Sequence, residues 1–436
     1  MKRKKVFVCE KCGYTSPKWF GRCPECGEWN TAKEMILSRG EVFETSPLLP
    51  LSSVTSEKGE RMKTGFSELD RALNGGIVPG QVILLAGEPG VGKSTLALEI
   101  ADSFSRYGNV VYLSGEESLA QLKIRSERTG IKNGNKIFVS MENDLTSLFE
   151  YIENIENLAL LIVDSLQTIF IPEYDSAPGS VLQIRETTMK LIKFAKTKSI
   201  PVLLIGHVTK EGEIAGPKLV EHMVDTVIYF EGEKGTDLRI FRISKNRFGP
   251  SGEIVVFEMG GEGIFEVTDP VFVEEGELPS GNVLTCILEG TRAFVVQVQA
   301  LVSKSKMVNP RRVGRGIDTN RIITVSAVMS KKFKLPFENH DIYMNVVGGI
   351  RITDPAADLA IALAMYSSLL DIPLGNLVAI GEIGLDGRVR KVYNIKRRIM
   401  NLKKYEKVLI PWDEVQFEGV IKVRDLSEAL KIVGRE

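Results

Sequence analysis

From residue 64 onward, short β-branched apolar runs alternate with segments whose apolar residues recur every three or four positions. Residues 82–86, 110–114, 137–140, 160–163 and 201–205 read as strands, and 94–107, 119–129, 145–154 and 181–197 as helices. Strand and helix in alternation predict a doubly wound, mainly parallel α/β sheet. Strand-like runs without helices follow at 226–231, 238–244 and 254–258, as in a sheet closed by antiparallel edge strands. Near Asp269-Pro270 the pattern restarts, with strands at 283–289 and 294–301 and helices at 322–331 and 356–370. Shorter αβ units at 377–383, 395–405 and 407–411 complete a second α/β region. Upstream, residues 1–30 are rich in cysteine and glycine, and 31–60 show little periodicity. The expected organisation is a small module at 1–30, a linker at 31–60, and domains at 61–270 and 271–436.

Between the strand at 82–86 and the following helix stands Gly87-Glu-Pro-Gly-Val-Gly-Lys-Ser-Thr95, a complete phosphate-binding loop in the required context. Gly87, Glu88, Pro89, Gly90, Val91, Gly92, Lys93, Ser94 and Thr95 form the cradle. Its backbone N–H groups close around phosphates, Lys93 neutralises the β and γ oxygens, and the Ser94 hydroxyl ligates Mg²⁺. The helix that follows aims its positive dipole end at the same phosphates. The apolar strand at 160–163 ends in Asp164, placed to hold the Mg²⁺ shell. The strand at 110–114 runs into Gly-Glu116-Glu117-Ser, which puts two carboxylates at a strand end where one could orient the attacking water. Glu116 is the first candidate for this base and Glu117 the second.

Cys9, Cys12, Cys23 and Cys26 form two C-x₂-C knuckles separated by ten residues. That spacing supplies four thiolates to one tetrahedral Zn²⁺, with Gly13 and Gly27 allowing the tight turns. With no coordination position left open the metal is structural, and so small a module needs it to fold. Disulfides are the alternative, but a nucleotide-binding protein without a secretion signal belongs in a reducing compartment. Cys286 lies in an apolar run and reads as core. Lysine plus arginine equals aspartate plus glutamate, 56 each, so nucleic-acid affinity has to come from local patches. No apolar run approaches the roughly 20 residues of a membrane span, and the expected location is the cytoplasm.

The run Thr64-Gly-Phe-Ser-Glu-Leu-Asp70 through Pro79-Gly80, ahead of the loop, resembles the entry segment of RecA-type ATPases. Joined to the four-cysteine module, Ser-Gly-Glu-Glu-Ser118 and Lys245-Asn-Arg-Phe-Gly249, it is similar to the bacterial RadA (Sms) family of DNA repair and recombination proteins over essentially the whole chain. The resemblance implies ATP as the nucleotide, a homo-oligomer of hexameric ring form, and action on single-stranded and branched DNA. Recombinases of RecA type and other replication or repair proteins are the implied partners. It implies that the 245–249 signature serves ATP- and DNA-linked activity, with Lys245 and Arg247 reaching a neighbour's γ-phosphate, or Lys245, Asn246 and Arg247 touching DNA. A solvated basic turn is the alternative. His207 matches the position of a γ-phosphate sensor, and a satisfied structural histidine is equally compatible. Residues 209–218 and 174–179 suit channel loops.

Residues 303–315 carry Lys304, Lys306, Arg311, Arg312 and Arg315 and no acid, a candidate DNA contact or a solvated loop. The carboxy-terminal third resembles the proteolytic domain of Lon, matching at 381–389 and Lys396, but residues 353–359 place alanine or aspartate where that family has its serine. Without the hydroxyl there is no acyl-enzyme chemistry. The expected function is a DNA-dependent ATP hydrolase, a helicase promoting branch migration, and not a protease. A Lon-type protease or unfoldase, and a signalling or scaffold ATPase, are the alternatives.

Overall fold

The structure, a computed structural model, describes residues 4–9, 14–16, 18–37, 50, 60–207, 215–232, 237–267, 272–274, 276–400, 402, 405, 407–412 and 419–434. The chain divides into two compact units, Met1–Thr268 and Asp269–Glu436. The first is built on a nine-stranded sheet. Its order is Gly263–Glu266, Ile254–Gly260, Leu238–Asn246, Thr226–Gly232, Val82–Gly87, Val202–His207, Leu158–Asp164, Asn109–Ser114 and Ile137–Ser140. From Thr226–Gly232 to Ile137–Ser140 neighbours run parallel. The remaining strands add antiparallel at one edge.

The central strand Val82–Gly87 is apolar at nearly every position because both its faces are covered. Ile83 and Leu85 point into a core shared with Leu96 and Leu122, on the helices Lys93–Phe104 and Leu119–Arg128. Val82, Leu84 and Ala86 point into the opposite core, with Leu148 and Leu191 of the helices Leu145–Ile152 and Val181–Lys198. Each fully buried Leu or Ile contributes about 1.5–3 kcal/mol. The two-residue period thus clamps the strand between helical layers and fixes where its C-terminal loop emerges.

In the amino-terminal module Lys4–Cys9 pairs antiparallel with Thr15–Ser16 and with Ala32–Leu37. Where a linker was expected from residue 31, the structure therefore begins with a strand. Its alternation is masked by the charges of Lys33 and Glu34 on a small two-sided sheet.

The second unit holds a seven-stranded sheet. Its order is Arg312–Arg315, His340–Val346, Arg292–Lys304, Asn282–Glu289, Val378–Ala379, Val408–Pro411 and Val420–Val423. The helix Asp358–Leu370 is buried along most of its length. The expected unit at 377–383 is split: Val378–Ala379 joins the sheet, while Glu382–Ile383 forms a hairpin with Val389–Arg390. The expected helix at 395–405 runs only over Ile395–Ile399.

Candidate active site

The strand Val82–Gly87 delivers the phosphate loop to the C-terminal edge of the sheet, and the helix Lys93–Phe104 starts directly after Gly92. Gly92 adopts a left-handed φ of 112°, which turns the chain from loop into helix and would strain any other residue. The buried Lys93 Nζ donates to the carbonyls of Gly87 and Glu88, both at 2.9 Å, and lies 3.3 Å from His207 Nδ1. Burial pushes the Lys93 ammonium below its ordinary pKa, opposed by the charges of Asp164 and Glu116. A triphosphate arriving in the loop offers this ammonium the anion that its own carbonyls replace only in part.

Asp164 ends the strand Leu158–Asp164 and is buried. Burial raises its pKa, while hydrogen bonds from Tyr112 and Ser94 oppose the rise; the Tyr112 hydroxyl donates at 2.6 Å. A hydroxyl and a carboxylate side by side are the oxygen donors that a hard divalent cation takes. Glu116 follows the strand Asn109–Ser114 and accepts from the Ser165 hydroxyl at 2.5 Å, with His207 Nε2 at 2.8 Å from the same oxygen. His207 thus bridges the loop lysine and the Glu116 carboxylate.

Glu117, the second candidate base, is differently engaged. Its carboxylate ion-pairs with Arg125, whose Nε donates at 3.2 Å and whose Nη1 donates to Thr95 Oγ1 at 2.8 Å. The structure brings Lys93, Ser94, Glu116, Asp164 and His207 together and turns Glu117 toward the helix Leu119–Arg128. Sequence reasoning missed Tyr112, Ser165, Arg125 and Gln167. Gln167 Nε2 lies 3.4 Å from the His207 carbonyl, and its Oε1 is buried without a partner among the described residues. Tyr112 carried a signal, a hydroxyl inside the apolar run of the strand Asn109–Ser114.

The Lys-Asn-Arg-Phe-Gly signature lies elsewhere. Asn246 pairs with Thr226, which pairs with Ile83 near the start of the loop strand. Residues 245–249 therefore lie at the opposite end of the strands from the phosphate loop, about 13 Å along the sheet for the four residues from Ile83 to Gly87 at ~3.3 Å each, and two strands across. Asp225, 4% exposed, organises this edge. It accepts from Val82 N at 3.0 Å and Lys196 Nζ at 2.6 Å, with Arg247 Nη1 at 3.5 Å. Lys245 Nζ donates to the carbonyls of Glu221 and His222, at 2.8 and 3.2 Å. Burial followed by the neighbouring Arg247 charge lowers its pKa. Asn246 Oδ1 accepts from Phe248 N at 3.0 Å, and Arg61 and Asn74 hold the Phe248 carbonyl. A side chain at Gly249 would come within 2.7 Å of Asn74 Cβ. The segment is held rigidly, while the Arg247 guanidinium remains 55% exposed.

In the amino-terminal module the sulfurs of Cys9, Cys23 and Cys26 lie within 4.8 Å of one another. Cys9 Sγ and Cys26 Sγ are 3.7 Å apart. That is far longer than the ~2.05 Å of a disulfide and close to the ~3.8 Å edge of a tetrahedron with 2.3 Å zinc–sulfur bonds. Gly27, at φ +75°, makes the knuckle turn, its N–H donating to the Cys23 carbonyl at 2.9 Å. These donors fit zinc. Cys12 lies outside the described residues.

Residues 7–34 match the family described as rubredoxin metal binding domain, residues 46–213 that described as AAA domain, and residues 317–414 that described as subunit ChlI of Mg-chelatase. The chain is 43% identical over 453 residues to DNA repair protein RadA of Bacillus subtilis (strain 168), covering 99% of this chain and 98% of that protein. The chain belongs to the RadA family of DNA repair proteins. RadA of Aquifex aeolicus (strain VF5) is 42% identical over 444 residues, covering 99% of each. A crystal structure of the RadB recombinase aligns at 23% identity and a TM-score of 0.39, over 47% of this chain and 99% of that one. As a RadA-family protein with an AAA domain, the chain is an ATP hydrolase of DNA repair.

In the second unit of this RadA-family chain Lys304, Lys306, Arg311 and Arg315 are exposed. Arg312 is not comparable, and its candidacy as a DNA contact is corrected: its guanidinium donates to the carbonyls of His340 and Phe337 at 2.6 and 2.7 Å, tying a strand edge to the turn beside it. Residues 388–397 carry Arg388, Arg390, Lys391, Lys396 and Arg397 on the surface, a basic run the sequence reading passed over because hairpin and helix looked like separate units. Around 353–359 the acids are tied up. Asp354 accepts from the buried Arg398 at 2.6 Å, and Asp358 from Arg321 at 2.5 Å. Lys396 is exposed, and Arg398 is the buried cation of that helix.

Proposed function

We propose that the chain is an ATP-driven motor that moves along or remodels single-stranded and branched DNA during homologous recombination, working as a homo-hexameric ring helicase that promotes branch migration. The observation that carries this reading is the placement of the 245–249 signature, rigid, basic and at the opposite end of the strands from its own phosphate loop, about 13 Å along the sheet. From there Arg247 and Lys245 reach a γ-phosphate only in another subunit, where their charge stabilises the transition state. An ATPase completed by its neighbour couples hydrolysis to relative subunit motion.

Within each subunit the roles follow from contacts. Lys93 meets the β and γ oxygens, and Ser94 with Asp164 would hold Mg²⁺, which would supply charge neutralisation of the phosphates. Glu116, aligned by Ser165 and His207, orients the attacking water, and His207 reports the γ-phosphate by joining Lys93 to Glu116. Phosphates of DNA meet Lys304, Lys306, Arg311 and Arg315, together with the run at 388–397; Asn246 is free for DNA only if the 245–249 edge lines the channel. The paired acids around 353–359 argue against a peptidase, as does the absence of serine there. RecA-type recombinases are the partners, in the cytoplasm.

Hydrolysis of ATP measured with no polymer, with single-stranded DNA and with unfolded casein tests the reading. Stimulation by DNA alone is expected. Casein cleavage stimulated by ATP would replace it with the protease reading, and hydrolysis indifferent to both polymers with the scaffold reading.

A further inference from the structure

The amino-terminal module holds two of the chain's three tryptophans, Trp19 and Trp29, and leaves both in water. Trp19 is 60% exposed and Trp29 68%. So small a module has little core, yet it does pack other rings: Tyr14 and Phe20 meet edge to face at 5.7 Å. The indoles, its largest apolar side chains, stay out of that pair, and exposed aromatic surface rimmed by polar residues marks a binding face. Both indoles are also held in place. Trp29 lies opposite Arg22 in an antiparallel bridge, with the Arg22 guanidinium 5.9 Å above its ring. Arg22 Nε donates to the Gly27 carbonyl at 2.9 Å, which ties that cation to the knuckle turn. The Trp19 ring lies against Gly21, 3.4 Å from where a Cβ would stand, and the Gly21 carbonyl accepts from Asn30 N–H at 2.7 Å. The two indoles thus flank one short hairpin.

Charge indicates what meets them. Residues 1–34 carry eight lysines and arginines against four glutamates, in a chain balanced at 56 of each sign. Lys18, next to Trp19 in the chain, and Arg22 are exposed. Fixed aromatic faces in a basic field suit unstacked bases on a phosphate backbone, since every base has a π-face and every phosphate a negative charge. A duplex keeps its bases stacked on one another, so the occupant is a single strand.

We infer that Trp19 and Trp29 are stacking platforms for the bases of single-stranded DNA, with Arg22 as the positioning residue of Trp29. This rests on DNA being the polymer on which the chain acts. Stacking reads no base edge, so the contact is indifferent to sequence.

Tryptophan emission tests it. Trp412→Phe removes the remaining indole and leaves the two of the module as reporters in the full chain. Oligothymidylate should quench their emission, whereas an abasic oligodeoxynucleotide of the same length, with phosphates and no bases, should not. Trp19→Ala and Trp29→Ala should each weaken oligothymidylate binding by roughly 5- to 150-fold and leave the abasic strand within about twofold of its wild-type affinity. The slope of log affinity against log salt should not change, because no phosphate contact is removed. Trp29→Phe, which keeps a ring, should recover most of the affinity. Retained metal content reports that the module is folded; where an alanine variant loses it, the phenylalanine variant and the quenching decide. An alanine variant that keeps its metal and binds oligothymidylate as the wild type does would turn the indoles toward a protein, and equal weakening of both strands would make them struts of the module; either overturns the inference. Failure of the underlying DNA reading would look different: the wild-type chain would then bind neither strand.

Discussion

Replacing Asp225 by alanine separates the two edges of the ATPase sheet. The carboxylate is 4% exposed and accepts from Val82 N–H at 3.0 Å, Lys196 at 2.6 Å and Arg247 at 3.5 Å. Val82 is fully buried, so its N–H loses its acceptor at a cost of about 1–3 kcal/mol. Lys196 and Arg247 are 45% and 55% exposed and rehydrate, adding no more than about 1 kcal/mol. The sum, about 1–4 kcal/mol, lowers the Tm by roughly 2–16 °C for a unit of this size. Nucleotide binding should survive, because the phosphate loop lies at the other end of the strands, about 13 Å off along the sheet. ATP hydrolysis should be lost, because the Arg247 guanidinium loses its anchor, although its backbone N–H still meets the Asp225 carbonyl at 3.1 Å. Asp225→Asn keeps an acceptor for Val82 and removes the charge, and is expected to spare most of the stability while still impairing hydrolysis. Thermal unfolding, nucleotide binding and steady-state hydrolysis on both variants make the comparison. Folded Asp225→Ala protein with wild-type hydrolysis would refute the reasoning.

Other expectations follow from single contacts. Metal analysis of the purified chain should return about one zinc, and Cys9→Ser should release it and expose the module to proteolysis; full folding of the module in chelator would argue against the thiolate site. Burial pushes the Glu99 carboxyl up to about 7, against the opposing hydrogen bond from Ile264 N–H. Its protonated form therefore favours the fold, a contribution fully present below the ordinary value near 4.5 and lost as pH rises through about 7. Glu99→Gln should flatten the fall in Tm between pH 5 and 8, and an unchanged slope would assign that fall to other groups. Arg398→Met should destabilise the second unit by about 3–5 kcal/mol, since it strands the Asp354 carboxylate and the Cys286 carbonyl, and Asp354→Asn in the same chain should restore part of the loss. Thermal unfolding of the single and double variants reads this directly.

The architecture of the ATPase sheet was legible because each strand and helix announces itself locally: both faces of Val82–Gly87 are covered, so its run is continuously apolar, and Leu119–Arg128 opens on a capping box. The phosphate loop was legible for the same reason, as its function depends on adjacent residues. Strand order was not, since pairing between Thr226–Gly232 and Val82–Gly87 joins segments more than a hundred residues apart. That pairing is what sends the 245–249 signature to the far edge. The engagement of Glu117 was hidden because its partner Arg125 lies two helical turns on and Thr95 in another element. Arg398 was not singled out, because burial of a cation becomes visible only with Asp354 and two carbonyls around it.

Subunit complementation tests most directly whether the nucleotide site is completed by a neighbour. Lys93→Ala disables the loop and leaves the 245–249 edge intact; Arg247→Ala does the reverse. Each variant alone should hydrolyse no ATP in the presence of single-stranded DNA, and mixing them should restore hydrolysis at interfaces where an intact loop faces an intact Arg247. A mixture no more active than the sum of the two variants, in assemblies shown to contain both, would contradict the account.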